Sequence, residues 1–575
     1  GLMPRDCVEK EVRPGDVVVV VGGRTGRDGI HGATFSSIEL SEESEMVSAA
    51  AVQIGDPIAE KRVLDGLLRA RDARLYRAVT DCGAGGLSSA VGEMGAECGA
   101  EVELSKVPLK YPGLTPEEIW ISEAQERMVL AVPPESVDEL VRVFEAEEVE
   151  ATPIGTFTDT GRLLLTHEGE VVGDLSMEFL HDGTPRPTRE ARWTPPAVDD
   201  PGCPGPVDAP LFASEDKPWN AAILALLARP NIASKEWIVR QYDHEVQGMS
   251  VVKPLSGERA DGPSDGIVLK PLEDSRKGVA IGQGANPRYG RLDPRAMAEA
   301  VIDEALRNVV ACGGDPDHTA ILDNFSWGNC GKPEQLGALV HASRGCYAAA
   351  MAYGTPFVSG KDSLNNEYRV GDRTLSIPPT LYVTAMSRVP SVGNVVTMDL
   401  KKPGNLLLLV GVTDAELGGS EYLDLLGLDG GAVPRPDLER APACLRKLHA
   451  ATKLKQLRAC HDLSEGGLAI ALAEMCLAGG HGADIDLSTI DHDDWGLAYD
   501  VDATLLFSES CTRFLVEVEQ GKKFNFQTKM MGIAATPIGR VSKKPRVTVK
   551  GVSGRQLVDL GVEELREAFQ SGFSG

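Results

Sequence analysis

Two aspartates stand where chemistry could begin. Asp81 in Val79-Thr-Asp-Cys-Gly-Ala-Gly-Gly-Leu and Asp462 in Ala459-Cys-His-Asp-Leu-Ser-Glu-Gly-Gly-Leu each close a short apolar run and precede a Gly-Gly that opens a small-residue helix. A carboxylate at a strand end beside such a turn can hold Mg2+ that already carries phosphate oxygens, because Mg2+ usually takes only one or two protein carboxylates. For a single Asp, capping of the helix would be the better explanation; its presence in two copies of one motif shifts the reading towards the metal. Complementary oxygen donors lie between the copies. Asp293-Pro-Arg-Ala-Met-Ala-Glu has the cap and first-turn proline of a helix that should run to Gly313-Gly314. On it Glu304 and Asn308 are four apart and share a face, which suits a hard cation, although such pairs are more often a wet helix surface. Asp265 precedes the strand-like Gly266-Ile-Val-Leu, while Asp323 and the stretch Gly360-Lys-Asp-Ser363 follow apolar runs. Together these place acids and glycines at sheet edges, as a nucleotide-Mg2+ site needs.

Other motifs speak less clearly. Gly22-Gly-Arg-Thr-Gly-Arg-Asp-Gly-Ile-His-Gly follows a β-branched run and carries Arg24 and Arg27, so its backbone N–H groups could cradle an anion. Its spacing is neither a P-loop nor GxGxxG, and a tight strand-to-helix turn explains it as well. His31, His244 and His461 show no metal-binding spacing and read as structural residues. No GxSxG element and no glutaminase-type cysteine is visible.

The elements that must position these residues are duplicated. Pro14-Gly-Asp-Val-Val-Val-Val recurs as Pro403-Gly-Asn-Leu-Leu-Leu-Leu, Ser122-Glu-Ala-Gln-Glu-Arg as Ser508-Glu-Ser-Cys-Thr-Arg, and Ala151-Thr-Pro-Ile-Gly as Ala535-Thr-Pro-Ile-Gly. The spacing far exceeds the ~50-residue limit of solenoid periods, so the chain holds two copies of a domain C around a unique domain N. The expected boundaries are 1–184 for the first C, 185–219 for a linker with eight prolines between Pro185 and Pro210, 220–395 for N and 396–575 for the second C. With 42% hydrophobic and 25% charged residues, each domain can bury an ordinary core. The net charge of −27 argues against a nucleic-acid or anionic-membrane surface. Eleven cysteines without a CxxC pair read as free thiols in a reducing compartment, and no run of about 18 apolar residues is present. A cytoplasmic protein is expected.

These motifs, in this order and over nearly the whole chain, closely resemble those of phosphoribosylformylglycinamidine synthase. The family belongs to a superfamily of ATP-using synthetases that pair N and C domains, aminoimidazole ribonucleotide synthetase among them. The resemblance implies a duplicated α+β architecture ordered C, linker, N, C, with a first N domain expected outside these residues and the general acid/base histidine within it. It also implies ATP-dependent conversion of the formylglycinamide ribonucleotide amide to an amidine, using ammonia from a glutaminase domain or subunit. Gln53, Glu123, Ala124, Gln125 and Ser363 would bind that substrate, Asp323 and Gly360 would contact ATP, and Asp81 would hold Mg2+. Asp265, Glu304, Asn308 and Asp462 would hold the Mg2+ of an auxiliary ADP site, with Ser464 on its nucleotide. Lys361 stands where smaller members have a metal-ligating Asn, and a Lys ammonium has no acceptor. Another ATP-dependent synthetase or kinase of the superfamily and a non-catalytic nucleotide-binding scaffold are the alternatives. The chain by itself is expected to be inactive or nearly so.

Overall fold

The five-valine run forms the strand Val17–Gly22 because β-branched side chains pack well on a pleated surface and lose little there. In this computed structural model, which describes residues 10–30, 40–41 and 55–573, that strand pairs antiparallel with Arg127–Val132 and Ala151–Phe157. Counted along the chain, the sheet's strands are Val17–Gly22, Ala78–Asp81, Ala100–Glu103, Arg127–Val132, Ala151–Phe157, Arg162–His167 and Glu170–Ser176, and they lie side by side as 2-4-1-5-3-6-7. The period-two alternation of a strand sends Val18 and Val20 to the face covered by helix Leu87–Met94. Val19 and Val21 go to the face covered by helices Pro57–Asp72 and Val137–Glu145.

The second copy repeats this. Its strands Leu406–Val410, Ala459–Asp462, Gly482–Asp486, Phe514–Val518, Ala535–Ser542, Arg546–Lys550 and Gln556–Gly561 lie in the same order, 2-4-1-5-3-6-7. The unique segment contributes a six-stranded sheet of Ser250–Val252, Gly266–Leu269, Gly278–Ala285, Thr319–Ser326, Phe357–Ser363 and Thr380–Val389, ordered 5-4-6-3-2-1. Its helix Pro294–Ala311 starts as read, with the Asp293 carboxylate accepting from Arg295 and Ala296 N–H. Sixteen of its eighteen residues are buried, because it lies in a core shared by the six-stranded sheet and the Leu406, Leu408, Val410 face of the second copy. An all-round buried helix shows no amphipathic stripe. The architecture is α+β.

By Cα proximity the chain divides into Gly1–Arg189 with Asn365–Leu375, and Glu190–Leu364 with Ser376–Gly575. The proline-rich stretch carries no helix or strand before Pro210, as its composition demands. Yet from Glu190 onward it is a strap fixed to the second unit. Arg192 N–H donates to Pro333 O, Cys203 N–H to Ala498 O, and the Tyr422 hydroxyl to Pro204 O. The next helix, Pro218–Leu227, buries Trp219, Ile223 and Leu226 in the core of the second copy.

The repeated Ser-Glu motif has a structural explanation common to both copies. Arg127 donates from Nε to Ala124 O, from Nη1 to Thr25 Oγ1 and from Nη2 to Ser122 O. Arg513 makes the same three bonds to Ser510 O, Thr413 Oγ1 and Ser508 O. Each buried guanidinium thus satisfies a loop whose next residue back, Glu126 or Thr512, is in the left-handed region at φ 56° or 53°. The second glycine of each Gly-Gly turn meets this loop closely: a Cβ on Gly86 would lie 1.9 Å from Ser122 O, and one on Gly467 2.3 Å from Ser508 O. Gly467→Ala should therefore cost about 3 kcal/mol or more, adding a backbone clash to the strain of φ +63°. Gly480→Ala, at φ +65° with nothing within 4 Å, should cost only about 1 kcal/mol. Chemical denaturation of the two variants compares them directly, and equal losses would contradict the clash.

Candidate functional site

Four of the expected metal and nucleotide residues come together within the second unit. Asp265 precedes Gly266–Leu269, Asp462 ends Ala459–Asp462, Asn308 projects from the buried helix, and Ser464 lies in the turn before helix Gly467–Gly479. All four line a cavity of about 160 Å3. Asp265 Oδ1 accepts from His461 Nδ1 at 2.7 Å and from Asp462 N–H at 2.9 Å. Asp462 Oδ2 accepts from Arg307 Nε at 3.1 Å, and Arg307 also pairs with Asp303. Glu304, one turn before Asn308, does not line the cavity; its Oε2 accepts from Ala285 N–H at 3.0 Å.

More carboxylates than cations crowd this space. Burial raises the carboxyl pKa of Glu304, and the charges of Glu465 and Asp462 raise it further. Burial likewise pushes Asp462 up, against the pull of the Arg307 guanidinium, and Glu465 follows for the same reason. Asp265 is the exception, because His461 holds its carboxyl below the usual range in spite of burial. Burial would lower His461, yet Asp265 on one ring nitrogen and Glu474 at 3.0 Å on the other raise it well above the ordinary imidazole value. His461 belongs to a geometrically compact trio with Asp265 and Asp462, but both its nitrogens face carboxylates, so it clamps the acids and is no ligand itself.

Two oxygens here remain unanswered. Asn308 donates from Nδ2 to Gln283 O at 2.7 Å, which turns its Oδ1 inward, buried and without a partner. Ser264 Oγ, on the same cavity, is also buried and unpartnered. Buried polar atoms are rarely left so. Hard oxygen donors, carboxyl pKa values raised by burial and then by neighbouring carboxylates, and orphaned oxygens together fit a divalent cation such as Mg2+. The turn itself supplies fewer donors than its glycines suggest, since Gly466 N–H donates to Glu509 Oε1 at 2.8 Å and Gly467 N–H to Ser464 O.

The remaining candidates lie on two different units. In the first, Asp81 and Gln125 line a cavity of about 440 Å3 together with Lys61 and Arg127. Glu123 accepts from Gly85 N–H at 3.1 Å, and Ala124, 1% exposed, donates its N–H to Ser122 Oγ; both are thus engaged in bracing the loop. Gln53 and His31 lie outside the described residues. In the second unit, Asp323 and Gly360 are register partners on the parallel strands Thr319–Ser326 and Phe357–Ser363, with Ser363 three residues on. A Cβ at Gly360 would lie 2.4 Å from Asp323 Oδ1, so glycine keeps that carboxylate accessible. Lys361 is exposed. In the glycine loop, Arg24 pairs with Glu150 at 2.9 Å and Arg27 with Glu118 at 2.7 Å, so the described part reads as a braced turn.

Known proteins share the domain order of this chain. The model of the AIR synthase related protein, C-terminal domain, matches residues 13–168 and again 402–552, and that of the N-terminal domain matches 263–389. A phosphoribosylformylglycinamidine synthase subunit, PurL, of Thermococcus sibiricus is 38% identical over 524 residues, covering 90% of this chain and 69% of the relative. The chain belongs to the phosphoribosylformylglycinamidine synthase family. The corresponding subunit of Methanocaldococcus jannaschii is 36% identical and covers 98% of this chain and 73% of its own length. A solved structure described as T. maritima PurL complexed with FGAR shares the fold, at TM-score 0.64 and 23% identity, over 94% of this chain and 74% of that one.

Sequence reasoning missed Ser264, Arg307, Glu465 and the clamping role of His461. One signal was available: Asp303, Glu304, Arg307 and Asn308 form a polar cluster in the otherwise apolar stretch Ala300–Ala311. Glu509 was also read only as a repeat of Glu123. It is buried, its Oε2 accepts from the Tyr289 hydroxyl at 2.6 Å, and burial with Glu465 nearby pushes its pKa up to about 8. The folded state therefore holds this proton more tightly than the unfolded chain, and stability falls as pH rises from the ordinary carboxyl range, ~4.3, toward the folded value. Glu509→Gln should gain stability relative to the parent between about pH 5 and about pH 8.5. Denaturant titrations at both pH values measure it, and a constant difference would mean that Glu509 titrates normally.

Proposed function

We propose that this chain carries the synthetase chemistry of its family, the ATP-dependent conversion of formylglycinamide ribonucleotide to formylglycinamidine ribonucleotide in purine biosynthesis. Family membership across nearly the whole chain carries the reading. The amide oxygen of the substrate takes the γ-phosphoryl group of ATP, releasing ADP. Ammonia adds to the activated carbon, and the phosphate leaves with that oxygen to give the amidine. Asp81 would hold a divalent cation beside Gln125 in the first unit, while Gln53, Glu123, Ala124 and Ser363 would serve substrate and Asp323 and Gly360 would serve ATP. Ammonia would come from a glutaminase partner, and the free thiols of all ten described cysteines suit a cytoplasmic setting. Among the described residues no helix is long and apolar enough to cross a membrane.

The cavity of the second unit is the auxiliary nucleotide site in this reading. Asp265, Asp462 and Asn308 Oδ1 would hold Mg2+, with Glu304 behind them and Ser464 toward a diphosphate. These residues would hold the cation, and its charge would offset that of the phosphates. The orphaned Asn308 oxygen and the crowded carboxylates support this role. Mg2+ with ADP should stabilise the chain by about 2.7 kcal/mol at a hundredfold excess over Kd, read as a rise in melting temperature. Asp462→Asn should remove most of the rise; a shift that survives Asp462→Asn combined with Glu304→Gln would contradict the assignment. In the assembled synthase, Asp81→Asn should abolish turnover yet leave the ADP-dependent shift in place. Retained turnover would remove Asp81 from the chemistry.

A further inference from the structure

The second C copy turns a basic face outward in a chain whose net charge is −27. Its helices Ala441–Lys453 and Lys523–Lys529 pack together, sinking Leu445, Leu448, Phe526 and Met530 into one core. Two bonds tie them on the outside: Lys447 Nζ donates to Met531 O, and Lys522 Nζ donates to Lys455 O at 2.8 Å. The stretches 441–458 and 519–531, which contain the two helices, carry eight lysines and arginines and a single acid, Glu519. Glu519 is already paired with Arg458 and, at 3.3 Å, with Lys522, while Arg446 is taken by Asp317 at 2.6 Å. Among the described residues Lys453, Lys455, Lys523 and Lys529 form no ion pair. Leu454, Phe524 and Met531, next to these lysines in the chain, stand 58%, 79% and 71% exposed.

Nothing in the framework demands such a face. The two copies align on their left-handed residues Arg74 and Lys455 and on the loop-bracing arginines Arg127 and Arg513. The counterpart stretches of the first copy are then 60–77 and 133–145, and they carry seven cations and seven acids. There the charges answer one another between the helices, Arg62 with Glu148 at 2.9 Å and Arg69 with Glu147. In the second copy the same scaffold has lost the acids and kept the cations. Like charges gathered on one face repel each other, and a chain with 85 acidic residues has carboxylates to spare for pairing them. Unpaired cations around exposed apolar side chains are what an acidic partner complements.

We propose that this face docks a partner protein through an acidic surface with an apolar centre. Carboxylates of the partner meet the four lysines, and its apolar side chains cover Phe524, Met531 and Leu454. A polypeptide suits the face better than a nucleic acid. The two arginines, whose planar forks fit phosphate, are already paired, and an apolar centre inside a charged rim is the anatomy of a protein interface. A lipid surface suits it less well too, because helix Lys523–Lys529 is two turns long and spends Phe526 on the core, which leaves little apolar area to enter a bilayer. The inference is independent of the catalytic reading.

The test uses the full chain and a fluorescein-labelled helical peptide built of glutamate around a stripe of leucine. Fluorescence anisotropy should show saturable one-to-one binding with Kd in the micromolar range, weakening as salt rises. Lys523→Glu combined with Lys529→Glu should weaken it by about tenfold or more, and so should Phe524→Ser. Arg142→Glu, on the counterpart face of the first copy, should leave it unchanged. These side chains are on the surface, so melting temperatures should stay at the parent value; if the double variant does not fold, Lys455→Glu takes its place. No saturable binding up to millimolar peptide overturns the proposal, as does binding that the second-copy variants leave intact or that Arg142→Glu weakens equally. A single-stranded oligodeoxynucleotide or phosphatidylserine-containing vesicles that bind more tightly than the peptide, and lose that binding in the same variants, would also overturn it, because the occupant would then be a polyphosphate or a membrane.

Discussion

Buried negative charge that the protein only partly neutralises is the constraint on which the second unit depends. Asp265, Glu304, Asp462, Glu465 and Glu474 surround one small region, and Arg307 and His461 are the cations set against them. Desolvating a carboxylate costs several kcal/mol unless it is paired, so every neighbouring element is arranged to supply partial compensation. His461 is gripped between two acids, Arg307 spans Asp303 and Asp462, and the backbone N–H of Ala285 and Asp462 point at carboxylate oxygens. What remains uncompensated is what a divalent cation would supply. The helix Pro294–Ala311 is buried on all sides because it carries three of these groups into the core shared by the six-stranded sheet and the second C copy.

The duplication shows which parts of the C domain are scaffold and which are site. The arginine that braces the Ser-Glu loop, a left-handed residue before it and the close Gly-Gly turn recur in both copies. The surroundings of the strand-end aspartates differ: Asp462 is buried in an ion-pair network, while Asp81 is exposed beside an open cavity. One framework thus presents the same carboxylate in a closed setting and an open one. A closed setting suits a ligand that stays, and an open one suits a substrate that exchanges.

Much of this was legible in the sequence. The repeat foretold two sheets of one topology, the valine run foretold the central strand, and Asp293-Pro294 marked the start of the buried helix to the residue. Asp265, Asn308 and Asp462 were found by type and position and Ser464 through the resemblance, and these four line one cavity, which Glu304 does not. Pairing geometry stayed hidden, because it depends on contacts between segments far apart in the chain. His461 read as a lone histidine until Asp265 and Glu474 closed on it, and the glycine turn read as a source of donors until Glu509 claimed Gly466 N–H. The proline-rich stretch read as a linker, since composition forbids regular structure but says nothing about whether a surface holds the chain. Its hydrogen bonds to Pro333 and Ala498 make it a strap.

The central claim is that the crowded carboxylates and the orphaned Asn308 oxygen of the second unit hold a divalent cation. Electron paramagnetic resonance titration of Mn2+, a spectroscopic substitute for Mg2+, in the presence of ADP measures this on the whole chain. The account predicts a tightly held Mn2+ that is lost on Asn308→Leu and on Asp462→Asn. Unchanged Mn2+ stoichiometry and affinity in both variants would contradict it.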